Sequence, residues 1–165
     1  MLRNLFGGAM SMAIPDGMTD ISLLRQVPDH QEVFANAQTD SSIIVEILDS
    51  VPQKGLDALT YHYEQVSELN DDEHPGYLHK GPLAVPSMAE GSAFVLCGQQ
   101  EAAKFNEGAH AKNTIIVCMA LLRMPEHGAD ILITMNTPIR ISAASSSRAA
   151  LQPSKDAGRL LADDI

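Results

Sequence analysis

Positive charge is scarce in this chain. Eleven Lys and Arg stand against 21 Asp and Glu, giving a net charge of -10 and a pI near 4.8. Such a chain repels phosphate backbones and anionic headgroups, so direct binding to nucleic acid or an anionic membrane is disfavoured. Its natural counterpart is a protein with a basic patch. Long apolar runs are missing too: none approaches the ~18 residues that span a bilayer, and no membrane insertion is expected. The opening Met1-Leu-Arg-Asn-Leu-Phe-Gly-Gly8 shows neither a long apolar stretch nor a small-residue cleavage site, so no targeting segment is expected. Cysteine is limited to Cys97 and Cys118, each within an apolar strand-like run. They read as small core residues in a reducing compartment rather than as a disulfide.

Catalytic signatures are lacking as well. Gly91-Ser92 enters a strand without the second glycine of a nucleophile elbow. There is no H-E-x-x-H and no C-x-x-C, and Gly7-Gly8 is not followed by a phosphate-binding pattern. Asp71, Asp72, Glu73 and His74 match the spacing of neither a Ca²⁺ loop nor a zinc site. The six histidines are scattered; His30 alone lies in a suggestive stretch, where a turn histidine reads as a surface residue. No metal, no cofactor and no enzymatic chemistry are expected.

What remains describes one folded domain over residues 1–165, since 45% hydrophobic and 19% charged residues suit a packed core. Leu5 to Ile14 reads as a hairpin around Gly7 and Gly8. Asp20 caps a brief helical turn, Ile21 to Leu24. Strands are expected over 32–37 and 43–48, the second with Ile43, Val45 and Ile47 on one face and Ile44, Glu46 and Leu48 on the other. A helix starting at Ser50-Val-Pro-Gln carries Leu56, Leu59, Tyr63, Val66 and Leu69 on its apolar face. Residues 77–91, rich in Pro and Gly, read as a loop. Strands follow at 93–100, 113–124 and 130–136, the last pair joined by Pro125-Glu-His-Gly128. Residues 137–141 then leave the sheet, and 145–165 form a helical tail. The fold class is α+β: an antiparallel sheet with helices on its faces.

One stretch stands out as a candidate surface, Arg25-Gln-Val-Pro-Asp-His-Gln-Glu-Val-Phe34. Pro28 stiffens the turn and restricts Val27, and Asp29 is able to close it. Arg25, Asp29, Gln31 and Glu32 therefore crowd a rigid connection just before a strand. Charged groups on a stiff loop suit recognition better than packing. An ion pair from Arg25 to Asp29 or Glu32 is expected to hold the turn in register.

In these residues the chain resembles the Mog1 family of Ran guanine nucleotide release factors. The match runs from Leu5-Phe-Gly-Gly-Ala9 through Asp20-Ile-Ser22 and Arg25 to Phe34, then Ser42-Ile-Ile-Val-Glu-Ile-Leu-Asp49 and Glu68-Leu-Asn70. Ile116 to Arg123 and Ile131 to Pro138 follow the family's last two strands in pattern. The resemblance implies a central antiparallel sheet of about six strands flanked by helices, shared in outline with PsbP photosystem proteins. It implies binding to the GTPase Ran, promotion of nucleotide release and a role in nuclear protein import, acting as a monomer between nucleus and cytoplasm. A further Ran-binding protein could cooperate. By resemblance the Ran-facing residues are Arg25, Asp29, Gln31, Glu32, Glu46 and Asp49, supported by Val27, Pro28 and Phe34. The family pattern departs at 77–91, where a helix is expected, and after residue 141. The competing reading is an adaptor or trafficking factor that uses the same acidic surface without acting on nucleotide; a PsbP-like photosynthetic accessory role fits the motif less well.

Overall fold

A computed structural model describes residues 1–103 and 111–146. Nine strands and one α-helix occur among them: β1 Leu2–Leu5, β2 Met10–Ala13, β3 Thr19–Asp20, β4 Gln31–Asn36, β5 Ser41–Asp49, α1 Leu56–Leu69, β6 Gly76–Pro82, β7 Ala93–Ala102, β8 Asn113–Met124 and β9 Ala129–Arg140. β1 and β2 form a separate hairpin. The other strands make one antiparallel sheet in the order β3-β4-β5-β9-β8-β7-β6. The α+β class holds, with a seven-stranded sheet in place of the six expected.

Alternation along each strand sends side chains to two faces, and each face has its own cover. Over β7 and β8, α1 buries Ala58, Leu59 and Tyr63 against Leu96, Val117, Met119, Leu121 and Leu132. Over β4, β5 and β9, the β1–β2 hairpin presses Leu5 onto Phe34, Ile43 and Val45, with Ile14 in the same cluster. The second cover is thus a hairpin, where helices on both faces were expected. Its bend is a 3-10 turn over Phe6–Gly8, with Gly7 at φ 67° and Gly8 at φ 94°, the conformation for which that glycine pair is suited.

Packing of α1 depends on Gly98. Tyr63 donates from its hydroxyl to the Gly76 carbonyl at 2.8 Å, and the ring passes directly over Gly98, where a Cβ would collide with it. Burial pushes the Tyr63 phenol up to about 12, so it remains a hydrogen-bond donor well past its ordinary range.

Several expectations need correction. The helix begins at Leu56, not at Ser50, because Gly55 at φ 55° breaks the backbone just before it. Residues 50–53 are instead an irregular connector, bent at Pro52 and Gln53, that is tied to the sheet. Leu69, placed on the apolar face by spacing, is 86% exposed, because the helix ends there. Gly76–Pro82 is a strand; as the outermost one it tolerates a terminal proline and a bulge between Tyr77 and His79. Residues 137–140 stay in the sheet, with the irregularity absorbed at Thr114/Ile115 opposite Pro138. Cys97 and Cys118 face each other across β7 and β8 and are joined as a disulfide, where two separate thiols were expected. The proposed helix after Ser147 lies outside the described residues.

Candidate partner-binding surface

The surface is built at one end of the sheet. β4 pairs antiparallel with β5 so that Gln31 faces Glu46, and β5 pairs with β9 so that Asp49 faces Ala129. The entry to β4 and the exit of β5 therefore lie side by side. Residues 21–30 cross that end next to β4. Asp20 Oδ1 accepts from the Ser22 N–H at 2.9 Å and from its hydroxyl at 2.6 Å, capping the 3-10 turn Ile21–Leu23. Leu24 and Arg25 both donate their N–H to the Ile21 carbonyl, at 2.9 and 3.0 Å.

The following turn closes through its backbone. Gln31 N–H donates to the Pro28 carbonyl at 2.9 Å, and Ile47 N–H to the His30 carbonyl at 2.9 Å. Pro28, with its fixed φ, provides the acceptor. Arg25, Gln26, Pro28, Asp29 and His30 are exposed and Val27 is half-buried. Among the described residues no ion pair or side-chain hydrogen bond joins Arg25 to Asp29 or Glu32. The expected internal ion pair is absent there, and the guanidinium faces outward from a turn that the backbone already holds.

The six candidate residues divide into distinct groups. Glu32 is engaged elsewhere: its Oε1 accepts from the Phe6 N–H at 2.6 Å, fastening the N-terminal hairpin to the sheet. Gln31 Nε2 donates to Glu46 Oε1 at 2.7 Å across β4 and β5, so the amide fixes the carboxylate's direction and leaves its second oxygen free of that bond. Asp49 is exposed at the strand's end. Glu46 and Asp49 are three residues apart, and strand alternation places them on opposite faces. Glu46 shares a face with Leu132, and Asp49 continues the face of Ile47 and Ile131. A partner reaching both must grip the end of the sheet. Phe34, 2% exposed, anchors β4 beneath the hairpin.

A network centred on the buried Asp130, which the sequence reading missed, sets the position of Asp49. Arg123 on β8 contacts Asp130 on β9 twice, Nε to Oδ1 at 3.1 Å and Nη2 to Oδ2 at 3.2 Å, with Asp130 fully buried. The same guanidinium donates to the carbonyls of Val51, at 2.8 Å, and Gln53. Ser50 adds its hydroxyl to Asp130 Oδ1 at 3.2 Å and its N–H to the Gly128 carbonyl at 3.0 Å. Such a fork-shaped, bidentate contact is what arginine offers and lysine does not. The connector after Asp49 is thereby knotted to the sheet. An arginine at the end of an apolar strand, followed across a tight turn by an aspartate, was the available signal.

Residues 3–138 match the family described as Ran-interacting Mog1 protein. The chain is 46% identical over 156 residues to the Ran guanine nucleotide release factor of Danio rerio, covering 90% of this chain and 84% of that protein. It is 31% identical over 155 residues to the nuclear import protein Mog1 of Saccharomyces cerevisiae, covering 87% and 68%. Its fold superposes on the crystal structure of the Saccharomyces cerevisiae Ran-binding protein Mog1p with a TM-score of 0.71 at 28% identity, over 93% of this chain and 84% of that one. A match of this length, in sequence and in fold together, places the chain in the Mog1 family of Ran-interacting proteins.

Proposed function

We propose that this protein binds the GTPase Ran through the sheet end described above, promotes release of its guanine nucleotide, and so supports protein import into the nucleus, moving between nucleus and cytoplasm. Family membership across residues 3–138, which take in the whole surface from Arg25 to Asp49, carries this reading. The geometry suits it. A GTPase holds its nucleotide through a P-loop lysine, Mg²⁺ and ordered switch loops. A regulator accelerates release by binding the emptied state more tightly than the loaded one. Glu46, aimed by Gln31, and Asp49, on the opposite face of the strand end, offer two carboxylates to basic groups that otherwise serve the phosphates. Arg25 and Asp29 add exposed polar contacts on a turn whose backbone does not have to reorganise. The protein acts as a regulator, without bond-making chemistry of its own.

The test is affinity for Ran in two states. A release factor binds nucleotide-free Ran more tightly than loaded Ran. Equal affinities for the two would leave an adaptor, and no binding to either would remove Ran as the partner.

A further inference from the structure

Leu23 and Leu24 are 78% and 74% exposed, although large aliphatic side chains ordinarily find cover. They do not sit on a loose loop. The turn that carries them is capped by Asp20, closed by two hydrogen bonds to the Ile21 carbonyl, and follows directly on the pairing of β3 with β4. Two apolar side chains are thus held in water by a backbone that is already ordered. Nothing in their immediate neighbourhood needs them for packing, as the core under this edge is made by Phe34, Ile43 and Val45 with the hairpin.

Their position gives them a use. Arg25 follows immediately, and Asp29 lies five positions beyond Leu24, so the two Cα atoms are no more than about 18 Å apart. That falls inside a patch of about 800 Å² per partner, the usual size for a specific complex. Interfaces place large side chains at a dry centre and charges around a wet rim. Here an apolar pair precedes Arg25 and Asp29 on the connection into β4, whose first residue, Gln31, faces Glu46 on β5.

We infer that Leu23 and Leu24 are the apolar anchor of the Ran-docking surface, entering a recess on Ran bordered by basic side chains. This rests on the reading of the protein as a Ran-binding regulator. The choice of occupant follows from charge. A second copy of this chain carries the same net charge of -10 and would bring its own Asp29, Glu46 and Asp49 against these; like charges opposed in this way cost several kcal/mol. Two leucines bury too little surface to offset that. A basic partner meets no such repulsion.

The division of labour is testable, because apolar anchors and rim charges act on different rates. Rim charges steer encounter and respond to salt, whereas a buried anchor sets how long the complex lasts. The Leu23→Ser/Leu24→Ser double variant is expected to weaken binding to nucleotide-free Ran by about 100-fold, through a faster off-rate, with the salt dependence of the on-rate unchanged. Its unfolding midpoint should equal that of wild type. Leu69→Ser, at an equally exposed leucine on the far end of α1, should bind as wild type does. Wild-type affinity in the double variant, or equal weakening by Leu69→Ser, would overturn the inference while leaving Ran binding in place. A concentration-dependent wild-type dimer that the double variant abolishes would show that a second copy covers the leucines, and would overturn it too. If wild type itself fails to bind Ran, the underlying reading falls with it.

Discussion

Glu32 and Glu46 share the same chemistry on adjacent strands, yet their contacts give them different work. Glu32 receives the Phe6 N–H, so Glu32→Ala leaves a half-buried donor without its charged acceptor. The expected cost is about 1–3 kcal/mol, seen in chemical denaturation and concentrated in exchange protection of the N-terminal hairpin. Ran binding should be spared. Glu46 and Asp49 are expected to behave in the opposite way: Glu46→Ala/Asp49→Ala should keep wild-type stability within about 1 kcal/mol while losing Ran affinity by ~2–5 kcal/mol, if both carboxylates are desolvated against basic partners. Asp130→Ala belongs with the first group in a harsher form. It removes the carboxylate partner of the half-buried Arg123 guanidinium, which keeps only the Val51 and Gln53 carbonyls, with an expected loss of about 3 kcal/mol measured by denaturant titration. His62 gives a pH signature. Burial outweighs the attraction of Asp130 and, together with the Arg123 charge, holds its pKa below the ordinary 6.5, so the folded protein keeps the ring neutral while the unfolded chain takes up a proton. Its contribution is complete above about pH 6.5 and is lost as pH falls from there through the lowered folded value. His62→Gln should flatten the acid side of a stability–pH curve; an unchanged curve would show that other groups govern it.

At the level of elements, the strands with the plainest alternation and length were legible from the residues: β4, β5, β7 and β8 fall within a few residues of where their apolar runs placed them. Legibility failed where tertiary contacts decide. Pro and Gly argued for a loop over 77–91, and the sheet edge, which needs hydrogen bonds on one side only, accepts Gly76–Pro82 as β6. Ser50-Val-Pro-Gln resembled a helix start, but Arg123 claims the carbonyls of Val51 and Gln53 and holds the connector outside the helix, through bonds to a residue some 70 positions away in sequence. The candidate turn was visible because its stiffness is local, in Pro28; the direction of its side chains was not. Spacing alone suggested an Arg25 ion pair, whereas Glu32 was taken by the hairpin, a partner no local rule points to. Gly98→Ala tests the helix-to-sheet contact: the added methyl meets the Tyr63 ring and the Gly76 carbonyl, and overpacking of this kind costs about 1–3 kcal/mol or more. Thermal unfolding with near-wild-type behaviour would mean that α1 shifts to make room.

For the whole molecule, the net charge of -10 supplies a field, and the sheet end is the proposed address. Raising ionic strength should slow association with a basic partner and leave dissociation nearly unchanged. The central claim is that Glu46 and Asp49 at the sheet end drive nucleotide release from Ran. Its most direct test follows the loss of a fluorescent guanine nucleotide from Ran with wild-type protein and with Glu46→Ala/Asp49→Ala. The account predicts faster release with wild type and basal release with a variant whose unfolding curve matches wild type. Undiminished acceleration by the folded variant would contradict it.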